Sequence, residues 1–236
     1  MPFSGRSHAG MRGSAGFTLV ELIIVIAIIG LLVAIIVPAL RLCQVHARRT
    51  VCLSNLHQIG TAAIAYAASN SGYIPRGNNS LWMVVFLQYL SQDQTAEDYR
   101  QVEIYRCPDY PNAEQVVCYV DSSWGFSGRN DNLGWEVLDP TKLSQFHRPA
   151  GTIYFADNES GPWRPIIVSR DSEGIDRCDV WHPTHLPDSN AQQDIYGRRV
   201  AQSRHLEGCN VMYLDGRSDW MEAGEMTIDM WRDNWR

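Results

Sequence analysis

Apolar residues concentrate in one run near the N-terminus. From Leu22 to Leu40 the chain carries no charged side chain. A helix over residues 17–40 would extend about 36 Å at ~1.5 Å per residue, which is enough to cross a hydrocarbon core of roughly 30 Å. The pattern therefore predicts a transmembrane helix over 17–40. Pro38, near its end, removes one helical hydrogen bond and should kink or loosen the helix there.

The apolar pattern changes its period after residue 41. Apolar or nearly apolar side chains recur in alternating steps of three and four, at positions 42, 45, 52, 56, 59, 63 and 66, and Arg49 is the polar exception. This spacing places them on one face of a helix. Asn70 or Gly72 can adopt the left-handed conformation that ends such a helix. We therefore predict one helix from Phe17 to Ser69, with residues 41–71 as its amphipathic continuation packed on a globular domain.

Residues 72–236 show short apolar segments separated by Pro and Gly. Leu81–Leu90 follows a good N-cap at Asn79–Ser80 and reads as a short buried helix. Strands are predicted at 101–105, 116–120, 153–156, 166–168, 210–214 and 217–221. Asp215-Gly216 predicts a hairpin whose two-residue loop pairs Val211 with Trp220 and Tyr213 with Ser218. The fold class is α+β, with the long helix laid across a small antiparallel sheet.

Charge and cysteine content exclude several classes of protein. The net charge is −6 and the basic clusters are short, which argues against a nucleic-acid partner. The six cysteines form no C-x-x-C pair, which argues against a zinc ribbon or a thioredoxin site. If the globular part lies outside the cytoplasm, disulfides become available to it. One hypothesis is a disulfide between Cys52 and Cys107 that holds the helix to the domain; the alternative is free, buried thiols.

Few residues in the globular part suggest catalysis or ligand binding. The groups considered as metal ligands are Asp157, His182, His185, His205 and Asp215. No D-x-D-x-D loop is present, and we predict neither a metal nor a cofactor. His205 and Asp215 are interpreted as structural residues of the hairpin, Asp215 through an Asx turn. No hydrolase motif occurs, so we predict that the chain is not an enzyme. Sugar binding by Trp231 and Trp235 near the C-terminus remains an alternative.

Glu21 is the unusual residue of the apolar segment. A carboxylate in a membrane span costs on the order of 3 kcal/mol, so it needs a partner or a function, although reaching the membrane face is also open to it. The segment Gly16-Phe17-Thr18-Leu19-Val20-Glu21 resembles the cleavage and methylation site of type IV prepilins and type II secretion pseudopilins. The resemblance implies that a prepilin peptidase cuts after Gly16, removes the leader 1–16 and methylates Phe17. The new amine on Phe17 could then be neutralised by Glu21 of a neighbouring subunit.

Two further segments resemble a large bacterial subgroup of pilin-like proteins. These are the C-x-x-N-L-x-Q-I-G stretch from Cys52 to Gly60 and the H-x9-D-G motif formed by His205, Asp215 and Gly216. Pro38 also fits the family. The resemblance implies a single-pass inner-membrane protein whose domain 72–236 lies outside the cytoplasm.

The resemblance also implies a function and partners. It implies a structural subunit of a type II secretion or type IV pilus-like filament, with the prepilin peptidase and other pilin-like subunits as partners. The alternative function is a tethered envelope protein that does not polymerise and that binds a sugar or a protein.

Overall fold

The computed structural model describes residues 17–77, 81–90, 98–125, 135–169, 171–193 and 195–233. The chain divides into two compact units, Met1–Cys43 and Gln44–Arg236. The first unit is helical over its described length from Leu19 onwards, and every described side chain in it is exposed. Helix α1, Leu19–Ser69, is continuous across Pro38. Among the described residues it is the one helix long and apolar enough to cross a membrane.

The second part of α1 belongs to the globular unit. Its buried residues are Cys52, Asn55, Leu56, Ile59, Gly60, Ala62, Ala63 and Ala67. They recur with the helical period that the sequence pattern indicated, so the predicted packing face is confirmed. Arg49, the polar exception on that face, stacks its guanidinium over the ring of Trp220 at 4.7 Å. The helix ends as predicted near Gly72, which has a φ of 82° and donates its N–H to the carbonyl of Ala67.

Within the described ranges, two short helices and seven strands make up most of the rest of the regular structure. The helices are α2 (Trp82–Val85) and α3 (Leu87–Leu90). The strands are β1 (Tyr73–Ile74), β2 (Tyr119–Ser122), β3 (Thr141–Lys142), β4 (Ile153–Asp157), β5 (Asp179–Val180), β6 (Gly208–Tyr213) and β7 (Ser218–Glu222). Short 3₁₀ helices occupy Tyr99–Gln101, Glu103–Tyr105, Leu143–Gln145, Pro149–Gly151, Ile175–Arg177, Pro183–His185, Ala223–Glu225 and Ile228–Met230.

Five of the strands form one sheet in the order β5-β2-β4-β6-β7. All its neighbours are antiparallel except β2 and β5, which are parallel, and β1 pairs with β3 separately. One apolar cluster contains the α1 residues Leu56 and Ile59 together with Met212 of β6. A second cluster contains Val211 of β6 and Trp231. Neighbouring residues of β6 thus enter different clusters, as expected for alternating side chains, and the strand is buried on both faces. The predicted α+β class is confirmed.

The hairpin closes in a different register from the predicted one. Asn210 pairs with Trp220, and Met212 pairs with Ser218. The loop has three residues rather than two, since the N–H of Tyr213 bonds the carbonyl of Arg217 and Gly216 takes a φ of 86°. A three-residue loop with a left-handed glycine is a common hairpin connection, and its extra residue shifts every pair by one position.

Other local predictions also need correction. The strand predicted at 101–105 is wrong, because this stretch contains two 3₁₀ helices that bury Tyr105. The strand predicted at 166–168 is also wrong, although the carbonyl of Ile167 accepts a bond from Val116. The helix predicted over 81–90 is interrupted at Phe86. Its predicted cap, Asn79–Ser80, lies outside the described residues.

Candidate functional site

The N-terminal segment begins with a capping arrangement at Thr18. The Thr18 hydroxyl accepts the N–H of Glu21 at 3.2 Å, and Glu21 Oε2 accepts the N–H of Thr18 at 2.9 Å. The Thr18 hydroxyl also donates to the same oxygen at 2.8 Å. This is the reciprocal capping box that satisfies free N–H groups at a helix start. The sequence analysis missed it, although the T-x-x-E spacing was visible.

The capping box leaves Glu21 able to make a second interaction. All three bonds use its Oε2 or the Thr18 hydroxyl, and both residues are exposed. Among the described residues, Glu21 Oε1 has no hydrogen-bond donor. Phe17 directly precedes Thr18 and is also exposed. Gly16, the predicted cleavage position, lies outside the described residues. Pro38 lies within α1, in its exposed first part.

A second candidate site is a buried cluster in the globular unit. Cys52 of α1 and Cys107, which follows a 3₁₀ helix, bring their Sγ atoms to 2.6 Å. His205 Nε2 lies 3.4 Å from Cys107 Sγ and 3.4 Å from Asp157 Oδ2. Its Nδ1 lies 3.1 Å from Asp109 Oδ2. Four distant stretches of chain therefore meet at one imidazole that has no exposed surface.

Hydrogen bonds fix each member of this cluster. Asp157, at the end of β4, accepts the N–H of Asn210 on the neighbouring strand at 2.6 Å. Asp109 also pairs with Arg48 of α1 at 3.3 Å. The carbonyl of His205 accepts the indole N–H of Trp220 at 2.6 Å. Because both ring nitrogens of His205 face acceptors, its orientation is set from two sides.

The electrostatics of the cluster differ between its two sulfurs. The hydrogen bond with Cys52, followed by that with His205, lowers the pKa of Cys107. The same contact with Cys107, together with burial, raises the pKa of Cys52. Burial alone would lower the pKa of His205, but its bond to Cys107 and the charge of Asp157 raise it. Cys107 is thus the sulfur that more readily carries negative charge, stabilised by an imidazolium.

Burial also acts on the carboxyl group of Asp157. It raises the pKa of Asp157 to about 6, against the opposing effect of His205. Asp157 Oδ1 and both side-chain amide atoms of Asn210 are buried without a hydrogen-bond partner among the described residues. The polar groups around His205 are therefore only partly satisfied.

The two ends of the H-x9-D-G motif have different environments. Asp215 Oδ1 accepts the N–H of Arg217 at 3.0 Å, which is an Asx-type turn. The carbonyl of Gly216 lies 3.2 Å from Nδ1 of His57 on α1. His205 does not contact this turn; it lies in the cysteine cluster. The motif thus spans β6, with one end at the hairpin loop and the other at the buried cluster.

The remaining histidine candidates lie elsewhere. His182 Nδ1 accepts the N–H of Thr184 at 3.3 Å. His185 is fully buried, its Nδ1 accepts the N–H of Trp181, and burial lowers its pKa to about 2. Trp231, considered above for sugar binding, is buried in the second apolar cluster, so its ring is not available to stack on a sugar. Trp235 lies outside the described residues.

The donor atoms of Cys52, Cys107 and His205 lie within 4.8 Å of one another, so this set can be considered for a metal ion. Thiolates and an imidazole are also the groups found at redox-active cysteines. A cavity of about 450 Å³ opens beside the cluster and is lined by Cys107 but not by Cys52. The sequence analysis assigned Asp109 no role, because its contact with His205 spans 96 residues and leaves no local signal.

Comparisons with known proteins agree with the features of the N-terminal segment. Residues 11–37 match the family described as the prokaryotic N-terminal methylation motif. No curated protein and no solved structure matches the chain. A motif of this type implies processing by a prepilin peptidase and assembly with other pilin-like subunits. Together with the apolar helix, this match is consistent with anchoring in the inner membrane.

Proposed function

We propose that this protein is a pilin-like structural subunit of a type II secretion or type IV pilus-like filament. A prepilin peptidase cuts after Gly16 and methylates the new N-terminal residue, Phe17. The mature chain is held in the inner membrane by the first part of α1, and its globular unit lies outside the cytoplasm. The proposal assigns no catalytic reaction to the protein.

The observation that carries the proposal is the position of Glu21 at the start of a charge-free apolar helix. Removal of residues 1–16 would create an α-amine four residues before this carboxylate, and such an amine is largely protonated near neutral pH. Glu21 Oε2 is used within its own chain by Thr18, whereas Oε1 points to no donor among the described residues. It can therefore accept the amine of a neighbouring subunit when the helices pack side by side. A buried carboxylate is tolerated in such packing because it is paired.

The capping box offers a second explanation for Glu21, namely that it only starts the helix. Two substitutions separate the two roles. Glu21→Gln keeps an oxygen that accepts the Thr18 N–H but removes the charge. Thr18→Val removes the hydroxyl of the cap but keeps the carboxylate.

We expect the two variants to behave differently in assembly. In Glu21→Gln, incorporation into sheared filament fractions should fall by at least about tenfold, because the intersubunit ion pair is lost. Cleavage after Gly16 should persist in the same cells, as measured by mass spectrometry. Thr18→Val should still assemble. Filament assembly by Glu21→Gln at the unsubstituted level, or equal loss in both variants, would contradict the pairing role. Complete processing without any filament would instead favour a tethered envelope protein.

A further inference from the structure

The buried cluster around His205 contains the one close cysteine pair among the described residues. We infer that Cys52 and Cys107 form a disulfide that fastens the second part of α1 to the rest of the globular unit, and that His205 activates Cys107 for its formation. The inference rests on the proposed placement of this unit outside the cytoplasm, since disulfides persist in oxidising compartments.

The spacing of the two sulfurs favours a disulfide over a metal site. Two thiolates bound to one tetrahedral zinc ion stand about 3.8 Å apart, given Zn–S bonds of about 2.3 Å. The Sγ atoms of Cys52 and Cys107 lie 2.6 Å apart, so holding an ion would require them to separate. Closing to a bond of about 2.05 Å needs a smaller movement. Cys52 lies on α1 and Cys107 lies just after the 3₁₀ helix Glu103–Tyr105, and both belong to one buried cluster.

Access to the pair is asymmetric. Cys52 has no exposed surface, whereas Cys107 is 5% exposed and lines the cavity of about 450 Å³. Cys107 is also the sulfur that His205 stabilises as a thiolate, through a contact of 3.4 Å. The more accessible cysteine and the activated cysteine are therefore the same residue. This makes Cys107 the thiolate that an oxidant meets first.

The reaction then proceeds in two exchange steps with a disulfide oxidant, such as a thiol–disulfide oxidoreductase or oxidised glutathione. Cys107, its proton held by His205, attacks one sulfur of the oxidant and expels one oxidant thiolate. Cys52 loses its proton and attacks Cys107 Sγ of the mixed disulfide, which expels the second oxidant thiolate. Two electrons and the two cysteine protons pass to the oxidant, which leaves as two thiols.

The same asymmetry protects the finished bond. A reductant that enters through the cavity reaches Cys107 and must expel Cys52. Burial raises the pKa of Cys52, which makes it a poor leaving group. Attack on Cys52, which would expel the better leaving group, is blocked because that sulfur is fully buried. We therefore expect slow reduction of the disulfide in the folded protein.

The direct test uses the full-length protein isolated from its membrane and alkylated in denaturant without reductant. Trypsin should release residues 50–76 linked to residues 107–129, at a mass about 2 Da below the sum of the two thiol peptides. The second peptide also contains Cys118, which lies in the same buried cluster. The Cys118→Ser variant must therefore keep the link, and Cys107→Ser must lose it. Alkylation of both Cys52 and Cys107 in the native protein, with or without a bound ion, would overturn the disulfide.

The same digest separates this inference from the proposed function. A processed N-terminus together with free thiols overturns the disulfide alone, whereas a retained leader contradicts the proposed processing. Reduced, folded protein can also be treated with oxidised glutathione, which tests the geometry without reference to a cellular compartment. Failure to form the link under those conditions would overturn the inference as well.

The role of His205 requires a pH profile, because a purely structural residue would not shift one. In reduced Cys118→Ser protein, the rate of Cys107 alkylation should rise with pH around a midpoint that His205→Gln moves upward. Below the midpoint, each unit of upward shift should slow alkylation about threefold, since the loss of thiolate outweighs the gain in nucleophilicity. Asp109→Asn, which acts on His205 through Nδ1, should move the midpoint in the same direction. An unchanged midpoint in both variants would overturn the activating role.

Discussion

The packing of the lower part of α1 can be tested by Leu56→Ala. Leu56 has no exposed surface and lies in the cluster that includes Ile59 and Met212. The substitution removes three buried carbons, each worth about 0.8 kcal/mol, and leaves a cavity that the neighbours fill only in part. We therefore expect a loss of about 3 to 4 kcal/mol in the free energy of unfolding of the globular unit.

The matched control on the same helix is Val51→Ala. Val51 is 49% exposed, and its replacement by alanine removes two carbons from this half-buried position. Alanine also has the higher helix propensity, and the net change should be within about 0.5 kcal/mol.

Thermal unfolding of the full chain in detergent, followed by near-ultraviolet circular dichroism of its tryptophans, measures both variants. For a unit of this size each 1 kcal/mol corresponds to roughly 2–4 °C in Tm. Leu56→Ala should therefore lower the Tm by about 6 to 16 °C, and Val51→Ala by at most about 2 °C. Equal shifts in the two variants would refute the assignment of residues 52–67 to the core of the globular unit.

Two further predictions concern the sheet. Burial raises the pKa of Asp157 to about 6, from 3.8, so the folded state binds a proton more tightly than the unfolded state. Its contribution to stability is therefore greatest below pH ~4 and is lost as the pH rises through about 6, by on the order of 3 kcal/mol. Denaturant titrations should show Asp157→Asn gaining stability relative to the unsubstituted protein between pH 4 and 7, and a constant difference would contradict this. Gly216→Ala places a Cβ 2.8 Å from Ile64 Cδ1 at a φ of 86°. The same titration should show a loss of about 1 kcal/mol in the free energy of unfolding. An unchanged free energy of unfolding would contradict this prediction.

The helix was the most predictable part of the molecule. Its apolar run and its amphipathic continuation depend on periodicities that lie within one continuous segment, so local pattern sufficed. The strand at Ile153–Asp157 was also found, because its residues are uniformly apolar up to Asp157. By contrast, the stretch 101–105 alternates like a strand but forms 3₁₀ helices, since Tyr105 packs against α2 and donates to the carbonyl of Met83. That packing is tertiary and leaves no local signal.

The hairpin register and the buried cluster show where sequence reasoning stopped. Asp215-Gly216 correctly marks a turn, but the choice between two and three loop residues depends on the conformation of Gly216. The cysteine cluster joins Cys52 to Cys107 across 55 residues, and Cys107 to His205 across 98 residues. The sequence alone suggested that Cys52 and Cys107 pair. That His205 lies beside them could be seen only in the folded structure.

The central claim is that the chain is matured at its N-terminus as a pilin-like subunit. The most direct measurement is the intact mass, with N-terminal peptide sequencing, of the protein isolated from its native membrane. We expect a chain that begins at Phe17, lacks residues 1–16 and carries one added methyl group of about 14 Da. A native protein that still carries Met1 through Gly16 would contradict it.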